Sequence, residues 1–249
     1  MTCVTPARPP RSSGGICDNR RSMSAPRNGH RALEIAAMAV SAALLTMAAR
    51  RVLPAVDGVT TTVCFAGGAL LGYLIADFVC GLVHWAADTY GSIQTPVLGP
   101  NFVGPFRYHH VDPDDITRHD IVETNGNSCI LAVPVLSAML VTLPDPATRP
   151  AWLFAWSVLL SFVVAGIATN QLHKWAHMSA PPRTARVLQR LGLILARERH
   201  AIHHAAPFRT HYCITSGWFN EPLRRWRAHE AFERLLRPLA APTHDTAAR

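Results

Sequence analysis

Four long apolar segments constrain the fold of this chain more strongly than any other feature of its sequence. They cover residues 32–49, 59–83, 129–143 and 152–169. A helix needs about 20 residues to cross the hydrocarbon core of a bilayer. The second segment exceeds this length and the first and fourth approach it. The third is short, so a soluble core helix is the alternative for it. We predict an all-α fold, an integral membrane four-helix transmembrane bundle.

The composition supports one membrane domain with a polar segment at each end. The 249 residues are 49% hydrophobic and 16% charged, against about 25% charged in a typical soluble domain. Residues 1–31 are rich in Pro, Ser, Gly and Arg, which predicts a disordered basic tail rather than a secretory signal. Residues 32–223 form the predicted membrane domain. Residues 224–249 form a basic amphipathic segment and tail, expected to be a solvated helix, with lipid or an acidic electron donor as alternative partners.

Charge patterning predicts the orientation of the bundle. An arginine-rich N-terminal tail favours the cytoplasmic side, and four crossings return the chain to that side. The Arg50–Arg51 pair counts against this orientation. Lys174 is the only lysine, which indicates a GC-rich genome, and we expect a bacterial inner membrane. The net charge of +8, without a nucleic-acid-binding motif, points to anionic membrane lipid and argues against nucleic acid.

Histidines follow the apolar segments in three clusters, which hold nine of the thirteen histidines in the chain. Because the clusters are separated by an even number of crossings, all three emerge on one face of the membrane. Imidazole commonly ligates iron, zinc and copper, so we predict one shared metal site at the cytoplasmic surface. The clusters are His84, His109, His110 and His119; His173 and His177; and His200, His203 and His204.

Spacing within the clusters indicates which side chains lie on the same helical face. His173 and His177 are four residues apart, which places both rings on one face and suits two ligands of one metal. His84 and Asp88 have the same spacing. Asp88 could ligate metal directly or orient a ligating imidazole, and a hydrogen bond at the helix end explains the pair equally well.

The segment that carries His109, His110 and His119 is polar and contains a run of acids. Adjacent histidines cannot share a helical face, so one of the first two is expected to serve a second metal or to support a ligand. A solvated loop with incidental histidines is the alternative. Residues 123–127, with the sequence ETNGN, predict a turn before the third apolar segment.

Residues 187–195 carry an apolar stripe with arginines between its members. This pattern predicts an amphipathic interfacial helix that delivers His200 to the site. Ordinary core packing would explain the stripe equally well.

Other familiar chemistries lack their motifs in this sequence. It contains no HExxH, glycine-rich phosphate loop, GxSxG or dinucleotide-binding fingerprint. Six cysteines show no CxxC spacing. Catalytic zinc usually takes three protein ligands, so this number of histidines fits two metals better than one. Iron is attractive because a membrane lipid offers mostly unactivated C–H bonds, which require oxygen activated at a redox metal.

Four long motifs resemble the Kua/CarF family of plasmanylethanolamine desaturases, which carry a lipid desaturase domain. They are DFVCGLVHWAADTYGS, PFRYHHVDPDDITRHDIVETNGNSC, TNQLHKWAHM and RHAIHHAAPFRTHYCITSGWFNEPL. The resemblance covers residues 77–223. It implies a membrane protein with a diiron centre that uses O2 and two electrons. The implied reaction converts a 1-O-alkyl (plasmanyl) ethanolamine phospholipid into its vinyl ether (plasmenyl) form. Plant plastid desaturases that act on phosphatidylglycerol acyl chains are related.

The resemblance also implies the site residues. Asp88 and His119 are the expected catalytic residues, and the site would hold two iron ions. One departure is Tyr108, where the family pattern predicts an acidic residue before the histidine pair. The implied metal-site residues are His84, Asp88, His109, His110, His119, His173, His177, His200, His203 and His204.

The chain has no flavin or iron–sulfur motif. Electrons must therefore come from an external donor, such as a ferredoxin or a cytochrome b-type protein. The ether phospholipid headgroup is expected at the interface near an arginine: Arg107, Arg118, Arg199 or Arg209.

Two other functions stay open from the sequence. One is an acyl-chain desaturase or hydroxylase of another phospholipid, because these reactions can share an oxidant and differ in how the substrate is positioned. The other is a non-catalytic metal-binding membrane regulator of a stress or light response. A regulator would tolerate ligand loss that leaves partner contacts intact, whereas an enzyme would not.

Overall fold

A computed structural model describes residues 28–96 and 98–238, and within these ranges the fold is entirely helical. Short 3₁₀ and π turns connect some of the helices. In the described part of the chain the α-helices are α1 (Asn28–Val52), α2 (Val59–Thr89), α3 (Gly104–Val111), α4 (Asp115–Arg118), α5 (Ile121–Thr142), α6 (Pro150–His177), α7 (Arg183–Arg190), α8 (Arg197–His203), α9 (Asn220–Arg225) and α10 (Ala228–Leu236).

Four of the helices are long and apolar enough to cross a membrane, which confirms the predicted four-helix architecture. The candidate spans are Gly29–Ala55, Val59–Thr89, Ile121–Thr142 and Pro150–His177. Each is longer than its apolar segment, because the helix continues into polar residues at one or both ends. The third span has 22 residues, which is enough for a straight crossing.

Helix α5 begins well before the third apolar segment, so the predicted turn at residues 123–127 is wrong. Asp120 caps the helix, because its Oδ1 accepts hydrogen bonds from the backbone N–H groups of Val122 and Glu123, both at 2.9 Å. Gly126 lies where α1 crosses closely: a Cβ there would stand 2.5 Å from the Cβ of Glu34. The glycine therefore permits helix packing rather than a turn.

Small residues bring α2 and α6 into direct backbone contact. A Cβ on Gly72 would lie 2.1 Å from the carbonyl oxygen of Val158, and one on Gly68 would lie 2.6 Å from that of Phe154. Glycine is therefore required where the two backbones meet. The Ser161 hydroxyl crosses the same interface and donates to the Ala69 carbonyl at 2.6 Å.

Helix α1 packs mainly against α5. The Ser41 hydroxyl donates to the Cys129 carbonyl at 3.2 Å. Fully buried Leu136, Leu153 and Trp156 form the largest core with residues of α1. This core lies at the end of the bundle opposite the histidines, because it surrounds the α1–α2 and α5–α6 connections.

The predicted interfacial helix is not continuous. Helices α7 and α8 are separate, and Gly192 between them has φ of +69°, a left-handed conformation that favours glycine. Within the stripe, Leu195 is fully buried while Val187 and Leu191 are 52% and 66% exposed. The Leu195 N–H donates to the Thr215 carbonyl at 2.9 Å, so a tertiary contact replaces the helical bond and redirects the chain into α8.

The four long helices run up and down, so α1 and α5 begin at the end of the bundle where α2 and α6 finish. An ion pair between Arg31 and Asp120, at 2.5 Å, joins the starts of α1 and α5 there. Residues 28–31 belong to α1 rather than to the predicted disordered tail. The rest of that tail, residues 1–27, lies outside the described residues.

The chain returns to this end after α8. Helix α9 crosses the predicted domain boundary at residue 223. Helix α10 packs His229 and Phe232 against Trp85, with ring centroids 5.9 and 5.7 Å apart. His229 is only 6% exposed, so the expectation of a solvated helix is wrong for this face of α10. Residues 239–249 of the predicted tail lie outside the described residues.

Candidate metal centre

Nine predicted ligands converge at the end of the bundle where α2 and α6 finish. They form two groups, and the donor atoms within each group all lie within 4.8 Å of one another. We call them the five-histidine group and the carboxylate group. The five-histidine group is His109, His173, His177, His200 and His204, and the carboxylate group is His84, Asp88, His110 and His203.

Helical spacing explains how these side chains meet. His84 and Asp88 are one turn apart at the end of α2, and His173 and His177 are one turn apart at the end of α6. Helix α3 contributes an adjacent pair, and α8 with the residue after it contributes three more histidines. The predicted convergence of the three clusters on one face of the bundle is confirmed for all members except His119.

The carboxylate group converges on one oxygen of Asp88. The Oδ2 atom lies 3.0 Å from Nε2 of His110, 3.4 Å from Nε2 of His84 and 3.6 Å from Nε2 of His203. The Asp88 side chain is 8% exposed. Three imidazole nitrogens and a carboxylate thus surround one small volume.

Backbone carbonyls set the tautomers of two imidazoles in this group. Nδ1 of His84 lies 3.1 Å from the Tyr212 carbonyl oxygen, and Nδ1 of His203 lies 2.8 Å from that of Thr210. A carbonyl can only accept, so each Nδ1 carries the proton and each Nε2 presents a lone pair to the group. This is the arrangement by which proteins orient histidine ligands of metals.

The five-histidine group is centred on His200. Its Nε2 lies 2.7 Å from Nε2 of His177, 2.8 Å from that of His173 and 3.0 Å from that of His204. The ring centroid of His109 is 4.5 Å from that of His177. Two facing imidazole nitrogens share at most one proton between them, so this arrangement leaves lone pairs directed at one another, which a bound cation would stabilise.

The adjacent pair on α3 is divided between the two groups. His109 faces the five-histidine group and His110 faces the carboxylate group, and their ring centroids are 6.3 Å apart. Adjacent residues of a helix point in different directions, and these two side chains accordingly lie in different groups, while the metal that each would bind stays a prediction. The two groups are themselves close neighbours, because the ring centroids of His110 and His204 are 5.2 Å apart.

Burial disfavours the charged form of His109, His200, His203 and His204. It lowers the pKa of His109, His200 and His203 far below the usual value of a histidine, and neighbouring imidazoles lower it further. The same causes lower the pKa of His204 to about 3. Neutral imidazole is the form that ligates metals, so the folded chain holds these side chains ready to bind.

The buried polar atoms without partners support a metal at each group. In the described part of the chain they include Nε2 of His84, His109 and His203, and Oδ1 of Asp88. Burying polar atoms without a partner is costly, and a cation would satisfy these donors directly. Imidazole with a carboxylate suits iron as well as zinc. The residues therefore fit the predicted pair of metal ions.

Aromatic rings enclose the carboxylate group. Phe106 lies 5.1 Å from His84 and Phe208 lies 4.8 Å from His110, measured between ring centroids. Tyr212 is 5.1 Å from His203 and 1% exposed. Phe208 has φ of +59°, an unfavourable conformation for a bulky residue, and its carbonyl accepts the Tyr212 hydroxyl at 3.0 Å. Such strain is concentrated at functional sites.

His119 belongs to neither group. Its Nε2 lies 3.2 Å from Asp115 and 3.6 Å from Glu123, and its side chain is 30% exposed. Its backbone carbonyl accepts a hydrogen bond from Lys174. The structure therefore places the partly exposed His119 outside both groups, at what we call the rim of the site, and its predicted part in the site stays a prediction.

Three residues that shape the site were not predicted from the sequence: Asp77, Tyr212 and His229. Asp77 offered a signal, because a carboxylate inside an apolar helix is costly and usually functional. Tyr212 follows shortly after the third histidine cluster, and His229 lies far beyond it. Their positions depend on tertiary contacts that no local spacing encodes.

Comparison with known proteins places this architecture in a family. The model of the lipid desaturase domain matches residues 73–243, a range that includes every member of both groups. No solved structure matches the chain.

Three relatives have informative names. A Myxococcus xanthus protein named plasmanylethanolamine desaturase is 50% identical over 167 residues, which are 67% of this chain and 58% of that protein. A mouse protein named plasmanylethanolamine desaturase 1 is 46% identical over 160 residues, 63% of this chain and 59% of its own length. Arabidopsis thaliana fatty acid desaturase 4, chloroplastic, is 33% identical over 167 residues, 66% and 49% of the two chains.

The matched region thus spans less than two thirds of each of these relatives. The family model nevertheless covers well over half of this chain and contains the whole convergent histidine site. The chain belongs to the lipid desaturase domain family.

Proposed function

We propose that this chain is an oxygen-dependent membrane desaturase that converts a 1-O-alkyl (plasmanyl) ethanolamine phospholipid into its vinyl ether (plasmenyl) form. The observation that carries this proposal is the pair of adjacent donor groups, found in a chain whose relatives at 50% and 46% identity are named plasmanylethanolamine desaturases. The reaction removes one hydrogen from each of the first two carbons of the alkyl chain, counted from the ether oxygen, and leaves a C=C bond between them. With O2 as oxidant, two external electrons and two protons complete the formation of two water molecules.

Two iron ions are the proposed cofactors, one held by each donor group. When bound, iron supplies the oxygen chemistry that breaks an unactivated C–H bond. The chain's own residues fix the imidazole tautomers and, through Phe106, Phe208 and Tyr212, keep water away from the carboxylate group. Asp88 contributes the negative charge of that group. His119, beside Asp115 and Glu123 on the rim, is assigned to proton transfer to and from solvent.

The lipid is proposed to approach from the bilayer with its headgroup at the interface. Of the four arginines predicted there, Arg107 donates to the Gly91 carbonyl at 2.9 Å and Arg118 pairs with two carboxylates. Arg199 and Arg209 are exposed and are the better candidates for a phosphate contact. Under the positive-inside rule this end of the bundle faces the cytoplasm of a bacterial cell, where a ferredoxin or a cytochrome b-type protein would supply electrons.

Acyl-chain desaturation is the second candidate. The relative named fatty acid desaturase 4 favours it, at 33% identity. The two candidates differ in which bond of the lipid is oxidised, so their products distinguish them directly.

The deciding experiment expresses the chain in cells that lack plasmalogens and contain alkyl ether lipid. Acid-labile lipid that releases an aldehyde, formed with the unaltered chain and absent with His203→Ala, would support vinyl ether formation. New double bonds in acyl chains instead would support the second candidate. If neither product forms in membranes that contain the inserted protein and a working electron donor, both enzymatic proposals fail. A non-catalytic metal-binding regulator then becomes the better-supported function.

A further inference from the structure

Asp77 is a fully buried carboxylate inside α2, and it binds backbone instead of a cation. Its Oδ1 accepts from the N–H groups of Thr215, Ser216 and Gly217, at 3.2, 2.8 and 3.0 Å. Its Oδ2 accepts from the N–H of Trp218 at 3.1 Å. Backbone N–H groups thus satisfy both oxygens of the buried side chain. Asp77 therefore ties a segment about 140 residues away in sequence to the middle of α2.

The segment that Asp77 holds runs along one face of α2 toward the metal centre. We call residues 210–219 the orienting segment. Gly81 lies one turn beyond Asp77, and a Cβ there would stand 2.4 Å from Sγ of Cys213. Two turns beyond Asp77, Nδ1 of His84 meets the Tyr212 carbonyl at 3.1 Å. Residues spaced in this way share a helical face. The orienting segment therefore contacts one face of α2 at three successive turns.

Asn220, directly after the orienting segment, stabilises it through two hydrogen bonds. The Asn220 side chain accepts from the Cys213 N–H at 2.8 Å and donates to the Cys213 carbonyl at 2.9 Å. Beyond Tyr212, the Thr210 carbonyl accepts from Nδ1 of His203 at 2.8 Å. The two histidines that donate to backbone carbonyls of this segment, His84 and His203, both belong to the carboxylate group.

We infer that Asp77 is a positioning residue for the carboxylate group, acting through the orienting segment on the imidazoles of His84 and His203. It touches no ligand itself. The five-histidine group does not depend on it in the same way, because Nε2 of His173, His177 and His200 meet one another. Loss of the Asp77 anchor should weaken one metal position and spare the other. The inference rests on the proposed two-metal centre.

The test is Co²⁺ binding to the full chain, purified in detergent and stripped of metal. Co²⁺ reports both the number of bound ions and their ligand geometry through its visible absorption. The unaltered chain should bind two ions. Asp77→Asn should bind one, because an amide nitrogen cannot accept the N–H groups that one carboxylate oxygen now accepts. His203→Ala, which removes a ligand of the carboxylate group, should give the same remaining spectrum.

Asp145→Asn is the matched control. Asp145 also accepts a backbone N–H, that of Ala147 at 2.8 Å, but lies at the opposite end of the bundle. It should keep both ions. An Asp77→Asn chain that keeps both ions with unchanged affinity would overturn the inference and leave the two-metal proposal standing. An unaltered chain that binds fewer than two ions would overturn the two-metal proposal, and the inference with it.

A second pair of variants tests the same contact in case Asp77→Asn does not fold. Gly81→Ala places its new methyl group on Sγ of Cys213 and should lose one Co²⁺ ion. Adding Cys213→Ala removes that sulfur and should restore the second ion. If the double variant stays at one ion while its helix content is normal, the match between α2 and the orienting segment is not what positions the ligands.

Discussion

The backbone carbonyl of Tyr212 accepts a hydrogen bond from Nδ1 of His84, at 3.1 Å and across 128 residues of sequence. His84 is a proposed metal ligand, and the Tyr212 ring packs against the carboxylate group to which His84 belongs. Because the contact uses the Tyr212 backbone, orientation of His84 is separable from the chemistry of the tyrosine ring.

Tyr212→Phe should therefore keep metal binding while lowering stability. The change removes the hydrogen bond from the hydroxyl to the Phe208 carbonyl, worth about 1 kcal/mol, and the thermal midpoint should fall by about 2–4 °C. Tyr212→Ala should cost about 3–5 kcal/mol, because it empties a buried aromatic position. Co²⁺ absorption and thermal unfolding together check both. Loss of an ion in Tyr212→Phe would show that the hydroxyl, and not the carbonyl, matters to the site.

His177→Ala and His119→Ala should distinguish a proposed metal ligand from a residue outside both groups. His177 lies within 2.7 Å of His200 in the five-histidine group, so its removal should reduce bound metal from two ions to one and abolish turnover. His119 lies outside both groups, so its removal should leave two ions bound while slowing turnover, by about 10²–10⁴-fold if it transfers protons. Metal analysis of the two purified variants, alongside lipid turnover, makes the comparison. Metal loss in His119→Ala would restore it to the ligand set.

Acid should destabilise the metal-free chain through His229. Burial lowers its pKa from 6.5 to about 4, so the folded chain keeps it neutral while the unfolded chain binds a proton below about pH 6.5. The stability from this group is complete above pH 6.5 and is lost as the pH falls toward 4. His229→Phe removes the proton-binding site and leaves an aromatic ring against Trp85.

Thermal unfolding between pH 4 and pH 7 measures this effect. The stability of His229→Phe relative to the unaltered chain should rise on acidification by an amount on the order of 2 kcal/mol. Phe232→Leu alters the same aromatic cluster without changing a titrating group, and its pH dependence should parallel that of the unaltered chain. Equal pH dependence in all three proteins would contradict the prediction.

Gly72 and Gly166 provide a matched pair for helix packing. A Cβ on Gly72 would lie 2.1 Å from the Val158 carbonyl oxygen, whereas one on Gly166 would meet nothing within 4 Å. Gly72→Ala should destabilise the bundle by about 1–3 kcal/mol. Gly166→Ala should leave it unchanged or raise its stability by less than about 1 kcal/mol. Detergent unfolding curves compare the two, and equal midpoints would mean that α2 and α6 do not meet at Gly72.

Much of the bundle and of the convergent histidine site follows from local sequence rules. Apolar runs predict spanning helices, and four-residue spacing predicts that His173 and His177 share a face. Parity of the crossings predicts that the three clusters meet, as eight of their nine histidines do. The division of His109 and His110 between two groups also follows from helix geometry alone.

The features that could not be predicted depend on tertiary partners. Composition at residues 123–127 is typical of a turn, but Gly126 is a packing position against Glu34. Continuous apolar spacing through residues 187–195 hides the break at Gly192, which is held by the contact between Leu195 and Thr215. His119 is of a residue type that commonly ligates metal, but its imidazole lies beside two carboxylates and outside both groups.

The glycine contact between α2 and α6 has a consequence for the metal centre. From Gly72 to His84 is about 18 Å along α2, and from Val158 to His173 is about 22 Å along α6, at about 1.5 Å per residue. Because both helices are stiff, a change of a few degrees in the angle at which they cross would move the imidazoles at their far ends by about an ångström. Helix tilt in a bilayer is set by packing against neighbouring helices. The close approach of α2 and α6 at Gly72 therefore also fixes the spacing of the imidazoles at the far ends of both helices.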